Sequence, residues 1–289
     1  MAYKFKRKWG SVGSGEGEFS NLAGIDIYNE EVYIVDIGNA RIQVFDLKGV
    51  YLRQWGSYGI GDGEFNTPTG INVYNSETYV VDNGNKRIQV FDLQGSFNRS
   101  WETPYTPPTD NRAPHGIKIF GDEVYVTEYN YCTILVFDLS GNLQRTWGVS
   151  GTNPGQYTGP TGIDIYNDEV FIGEDSGQRI QVSDLTGSFK RLWGSSGEEP
   201  GQFDQPYSIK INNNQIFVAE RSNNRVQVFD LDGNFKTKFG TYGTEDGELD
   251  TPHGISVLDK EIYVSDYGNC RVEIFTPSVI QYLPIMGIG

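Results

Sequence analysis

RIQVFDLKG, residues 41–49, decides the fold because the chain writes it again and again. Close copies read RIQVFDLQG (87–95), RIQVSDLTG (179–187) and RVQVFDLDG (225–233), and looser ones TILVFDLSG (133–141) and RVEIFTPSV (271–279). Their first residues, Arg41, Arg87, Thr133, Arg179, Arg225 and Arg271, stand 46 apart throughout. Unbroken spacing across six copies marks one supersecondary unit repeated six times.

Around the phrase, each unit reads as four short strands. In the first they are Gly24–Tyr28, Val32–Asp36, Arg41–Asp46 and Tyr51–Trp55, parted by YNEE, DIGNA and DLKG. Asp and Gly at these corners supply the caps and positive-φ positions of tight turns. Four antiparallel strands in 40–50 residues is the spacing of a propeller blade. The third strand is apolar without clean alternation, as suits a strand covered on both faces. The expected fold is therefore all-β: a six-bladed β-propeller of four-stranded antiparallel blades.

The ring must close or leave an exposed strand edge. Fourth strands carry an apolar-x-Arg-x-Trp pattern, as in Tyr51-Arg53-Trp55 and Phe97-Arg99-Trp101, weakening to Phe235-Thr237-Phe239 in the fifth copy. The sixth copy would be QYLPI (281–285), which does not match, whereas Phe5-Arg7-Trp9 does. The N-terminal strand, about residues 3–10, is thus predicted to be the outer strand of the last blade. This gives one domain, 1–277, and a tail, 278–289, either docked or mobile. All five tryptophans and ten of the twelve arginines then fall in structural rings, leaving Arg112 and Arg221 outside them.

The units GDGEFNTPTGINV (61–73) and TYVVDNGNKRIQVFDLQG (78–95) resemble the NHL repeat, and the likeness extends over 3–276. The resemblance implies a six-bladed propeller. It also implies an interaction module that binds RNA or protein, and a fold similar to that of peptidyl-hydroxyglycine lyases and several hydrolases. Fold alone does not choose among these.

Ligands of propellers meet the end of the central axis where loops converge. The residue before each first-strand Gly or Ser runs Ala23, Thr69, His115, Thr161, Tyr207, His253, and holds both histidines of the chain. They stand three blades apart, on opposite sides of the axis. Zn–N bonds are about 2.0–2.1 Å, so the pair is not expected to share one zinc, and the three-histidine pattern of the similar lyases cannot be completed. A second ring, Asp36, Asp82, Glu128, Glu174, Glu220 and Asp266, could suggest calcium. Calcium needs about six to eight oxygens converging on one point. Five of these acids instead precede a third-strand arginine by five residues, which favours pairs within a blade, and Thr133 breaks the pairing for Glu128. No cofactor is expected, with Ca or Zn in the axial pocket as the minor alternative. The ring Asp26, Asn72, Lys118, Asp164, Lys210, Ser256 suggests a hydrated lining and offers no nucleophile beside a base. Cys132 and Cys270, again three blades apart, are too distant for a disulfide.

One blade departs from the plan. Its entry loop reads ETPYTPPTDNRAPHG (102–116) and its D-x-G-N-x-R corner becomes EYNYCT (128–133). Broken consistency marks functional suspects, and Tyr and Arg are favoured at binding hot spots. The candidate ligand-binding residues are Tyr105, Arg112, His115, Tyr129, Asn130 and Tyr131, joined from the fifth and sixth blades by Tyr207, Arg221, His253 and Tyr267.

The reading that follows is a non-enzymatic scaffold binding a protein, peptide or glycan on its loop face. The alternatives are a metal-dependent lyase or hydrolase in the axial pocket, or a structural part of a larger assembly. A net charge of −15 and the commitment of ten arginines to the blades disfavour nucleic acid. No apolar run is long enough to span a bilayer. MAYKFKRKWG lacks the apolar stretch of a signal peptide, so the default expectation is a cytoplasmic protein, monomeric or within an assembly.

Overall fold

The computed structural model describes residues 2–104 and 110–278. It contains six four-stranded antiparallel sheets arranged as the blades of a propeller. Blade 1 comprises Leu22–Tyr28, Glu31–Asp36, Arg41–Asp46 and Tyr51–Trp55. Blades 2–5 repeat this plan, their first strands beginning at Pro68, Pro114, Pro160 and Pro206. Blade 6 takes Pro252–Leu258, Glu261–Asp266 and Arg271–Pro277 from the C-terminal end and Tyr3–Trp9 from the N-terminus. Lys8 stands opposite Glu273 and Trp9 opposite Val272, so the predicted closure is present. Among the described residues no helix is long and apolar enough to cross a membrane.

The innermost strand of blade 1 begins two residues before the sequence expectation. Leu22 pairs with Asp36, and the register slips before Ile25. Gly24 lies within that slip because the next inner strand passes too close for a side chain. A Cβ there would sit 2.6 Å from the Thr69 carbonyl oxygen. The third strand, Arg41–Asp46, is buried along almost its whole length, as its unalternating pattern required.

Two arginine rings hold the blades. Arg41 donates to Asp36 at 2.8 Å and to the Ser14, Gly15 and Glu18 carbonyls of the preceding loop. Arg87, Arg179, Arg225 and Arg271 make the same pair with Asp82, Glu174, Glu220 and Asp266. The acid ring is thus tied into blades and loops. Fourth-strand arginines clip neighbouring blades together: Arg53 binds Glu31 of its own blade at 2.8 and 2.6 Å and the Leu93 carbonyl of the next at 2.8 Å. Arg7, Arg99, Arg145 and Arg191 repeat the clip onto the carbonyls of Leu47, Leu139, Leu185 and Leu231.

Candidate functional site at the axial mouth

Two rings of residues meet at one end of the axis. The inner ring precedes the first-strand bulge; the outer ring follows the second strand and runs Ile37, Asn83, Tyr129, Asp175, Arg221, Tyr267. The mouth is one-sided. Blades 1 and 2 bring Ala23, Thr69, Ile37 and Asn83, and two of these serve the scaffold: Thr69 donates to the His115 carbonyl and Asn83 to the Pro114 carbonyl. The ionisable and aromatic groups come from blades 3–6.

Tyr207 organises that half. Its hydroxyl shares a 2.6 Å hydrogen bond with Nε2 of His115, and the two rings meet edge to face at 4.8 Å. On its other side it meets His253 at 4.5 Å. His253 in turn stacks on Tyr267, with centroids 4.0 Å apart and planes 20° apart. The Arg221 guanidinium lies over Tyr207, 4.6 Å from its centroid, a cation–π distance. Tyr207 therefore packs against both of the opposed histidines. Among the described residues no group of three or more His, Cys, Asp or Glu is arranged to hold a metal ion.

The electrostatics follow from burial beside a fixed cation. Burial, and then the Arg221 charge, push His115 down to about 4. The same causes hold His253 well below its usual value, with His115 adding to them. Both imidazoles are thus neutral at physiological pH. Burial raises the Tyr207 phenol. Burial also raises Asp175, against the pull of Arg221 and the hydrogen bond from Tyr129. Tyr129 reaches Asp175 Oδ2 at 3.1 Å and Ser176 Oγ at 2.9 Å.

Several buried polar atoms here have no partner among the described residues: both ring nitrogens of His253, Nε of Arg221 and Oδ1 of Asp175. His253 is only 4% exposed and Asp175 5%. An unsatisfied buried polar group costs about 1–3 kcal/mol, so three such residues around one opening is an uncommon arrangement for a purely structural surface.

Below the mouth is a central cavity of about 80 Å³ lined by the inner strands. Its floor is a closed charge network. Lys118 pairs with Asp164 at 2.7 Å and Lys210 with Asp26 at 3.1 Å, while Asn72 donates to Asp26 at 2.6 Å. Burial opposes the charge on Asp26, but Lys210, the Val73 amide and Lys118 outweigh it and hold the carboxyl low. Lys210 is likewise kept charged, and its pKa raised, by Asp26 and Asp164 against burial. The four charged members of the mixed-sign ring read from the sequence thus form two ion pairs, and Asn72 and Ser256 hydrogen-bond to Asp26.

The sequence-predicted site residues separate into two groups. His115, Tyr129, Tyr207, Arg221, His253 and Tyr267 come together at the mouth. Arg112 is buried against its own loop, donating to both Asp110 oxygens at 2.8 Å and to Glu102 at 3.2 Å. Asn130 donates to the Asn111 carbonyl at 3.0 Å, and the Tyr131 hydroxyl accepts from the Asn111 amide at 3.4 Å. Tyr105 lies outside the described residues. Asp175 was missed. Its only signal was its place in the ring that already held Tyr129, Arg221 and Tyr267, which sequence reading did not follow around the axis.

A family model described as 6-bladed beta-propeller (DUF5128) matches residues 16–110 and 198–276. No curated protein matches the chain. Among solved structures, it resembles a catalytically inactive histidine-to-alanine variant of virginiamycin B lyase from Staphylococcus aureus with quinupristin. That match has a TM-score of 0.66 at 16% identity and covers 96% of this chain and 100% of that one. It also resembles a structural genomics protein of unknown function from Bacteroides thetaiotaomicron, with TM-score 0.71, 12% identity and coverage of 95% and 76%. BamB from Moraxella catarrhalis matches with TM-score 0.52, 12% identity and coverage of 90% and 74%. At such identities the likeness is one of fold.

Proposed function

The chain belongs to the six-bladed β-propeller family that matches it, and from that premise we propose that it is a non-enzymatic binding module of NHL-repeat type that takes a protein or peptide segment at its axial mouth. The observation that carries this reading is the set of unpartnered buried atoms on His253, Arg221 and Asp175. A ligand that offers these atoms donors and acceptors gives them hydrogen bonds that no described residue supplies. Tyr129, Tyr207 and Tyr267 supply flat faces beside them, and Tyr and Arg dominate protein-binding hot spots.

The size of the cavity argues in the same direction. Small-molecule pockets usually measure about 300–1,000 Å³, whereas the space beneath the mouth is about 80 Å³. That suits one protruding side chain of a larger partner whose remaining surface rests on the loops. The lyase or hydrolase alternative draws on His115 and His253, two neutral imidazoles packed against one phenol. A glycan ligand would use the same aromatic faces.

Panning a displayed random-peptide library on the immobilised protein tests the reading. Enriched peptides should compete for one site, and Arg221→Ala and Tyr267→Ala should each weaken them at least tenfold. Failure to enrich any peptide, or enriched peptides indifferent to both substitutions, would count against it.

A further inference from the structure

The propeller has six seams between blades, and five are closed in one way. An arginine of the outer strand binds a glutamate of its own blade and the leucine carbonyl at the next blade's corner, as with Arg53, Glu31 and Leu93. The tryptophan two residues on covers the corner glycine: a Cβ on Gly95 would lie 2.5 Å from Trp55 Cδ2. Between blades 5 and 6 every part is exchanged. Thr237 replaces the arginine, Gln215 the glutamate, Pro277 the leucine and Phe239 the tryptophan.

That seam is open. It holds a cavity of about 730 Å³ whose apolar wall includes Phe217, Val257 and Ile262. Tyr3 covers part of it, packing on Phe239 at 5.0 Å and donating to Gln215 at 3.3 Å. The main chain is delivered to this spot, because Ser278 lines the cavity and its amide donates to the Ala2 carbonyl at 2.7 Å. The following residues, VIQYLPIMGIG (279–289), lie outside the described residues and are mostly apolar. Val279 stands in the sequence phase of the corner glycines. In sequence, the copy that carries Val279 in place of the small glycine is therefore the one whose preceding blade carries Phe239 in place of the larger tryptophan.

We propose that the segment after Ser278 seats Val279 and its apolar neighbours in the seam between blades 5 and 6, replacing the clip that closes the other five. The seam lies at the end of the blades opposite the mouth, so the inference is independent of the ligand reading. It gives the irregular sixth copy of the opening phrase, RVEIFTPSV, a role: the chain turns there from repeat to plug.

Thiol labelling tests it in the intact protein. Thr237→Cys places one reactive group in the seam, since Cys132 and Cys270 are buried, and Thr186→Cys serves as an exposed control. Ending the chain at Ser278 should speed labelling of the seam thiol at least tenfold and leave the control unchanged. Val279→Ser with Ile280→Ser in the full chain should act in the same direction, which keeps the test available if the shortened chain folds poorly. Equal seam labelling in all three chains would overturn the proposal. So would protection that is lost on dilution together with a dimer in sedimentation, because the occupant would then be a second copy.

Discussion

His253 lies flat on Tyr267, 4.0 Å between centroids, yet neither of its ring nitrogens has a hydrogen-bond partner among the described residues. Packing alone would be served as well by phenylalanine. His253→Phe should therefore hold or raise stability at pH 7.5, by about 1 kcal/mol, while weakening peptide capture. The pH dependence has a definite sign. His115 and His253 are held below the ordinary value near 6.5, so at mildly acid pH the unfolded chain binds protons that the folded chain refuses. Their contribution is whole above about 6.5 and declines as the pH falls toward 4. Urea midpoints should drop from pH 7.5 to 5.0 in the wild type and drop less in His253→Phe. Equal losses would place the acid sensitivity elsewhere.

Glu273 offers the opposite sign. In four blades this position is glutamine; Gln89, for example, donates to Asp82 at 3.1 Å and to the Glu64 carbonyl at 2.7 Å. Glu273 has no amide to give. It lies buried 3.0 Å from Arg271, which also binds Asp266. Burial raises Glu273 to about 7, Arg271 and Lys8 opposing and Asp266 assisting, while the Gly247 amide donates to it. The folded pKa exceeds the unfolded one, so the stabilisation is full below the ordinary carboxylate value and disappears as pH rises through about 7. Each tenfold change in proton affinity is worth about 1.4 kcal/mol. Glu273→Gln should then stabilise by about 1–3 kcal/mol at pH 8 and converge with wild type near pH 5. Parallel pH profiles would refute this account.

The architecture was legible because the repeat fixes one residue type at one corner in blade after blade. The pattern Phe5-Arg7-Trp9, set against the unmatched QYLPI, was enough to predict which strand closes the ring. The mouth was legible only where rare residues marked it. His115 and His253 stood out as the chain's two histidines, whereas Asp175 is one acid among many until three turns bring it beside Arg221 and Tyr129. Arg112 shows the converse. Its isolation from both arginine rings suggested a ligand-binding role, but nothing local in PPTDNRAP states that Asp110 and the Thr103 carbonyl will draw the guanidinium inward.

The two arginine rings should differ in weight. Arg41 is 6% exposed, and Asp36 beside it is fully buried. Arg41→Ala leaves that buried carboxylate without its cation and takes the guanidinium hydrogen bonds from the Ser14, Gly15 and Glu18 carbonyls, and breaking such a pair costs about 3–5 kcal/mol. Arg53 and Glu31 are both partly open to solvent, so Arg53→Ala should cost about 1–2 kcal/mol, above a surface pair because the clip also includes the Leu93 carbonyl. The natural Thr237 shows that a blade survives the loss of one clip. Denaturant unfolding of the two variants should rank them Arg41 above Arg53. The reverse order would mean that the seams, and not the loop caps, hold the ring.

Gly49 and Gly63 separate backbone strain from steric exclusion. Both hold the left-handed region, with φ of +88° and +80°. A methyl on Gly63 would meet nothing within 4 Å, so Gly63→Ala should cost only the conformational penalty, about 1–2 kcal/mol. A methyl on Gly49 would lie 2.5 Å from Trp9 Cδ2. Trp9 belongs to the N-terminal strand that closes the ring, and its indole rests against both Phe45 and Tyr263. It can yield only by disturbing the seam between blades 6 and 1. Gly49→Ala should therefore cost at least about 2 kcal/mol more than Gly63→Ala, within the usual range for overpacking. It should also speed proteolysis of residues 3–9 in the native state, because the strand they form is held from blade 1 through that contact. Equal stability losses with unchanged proteolysis would show that the indole has room to move, and that ring closure rests on the strand pairing with Arg271–Pro277 alone.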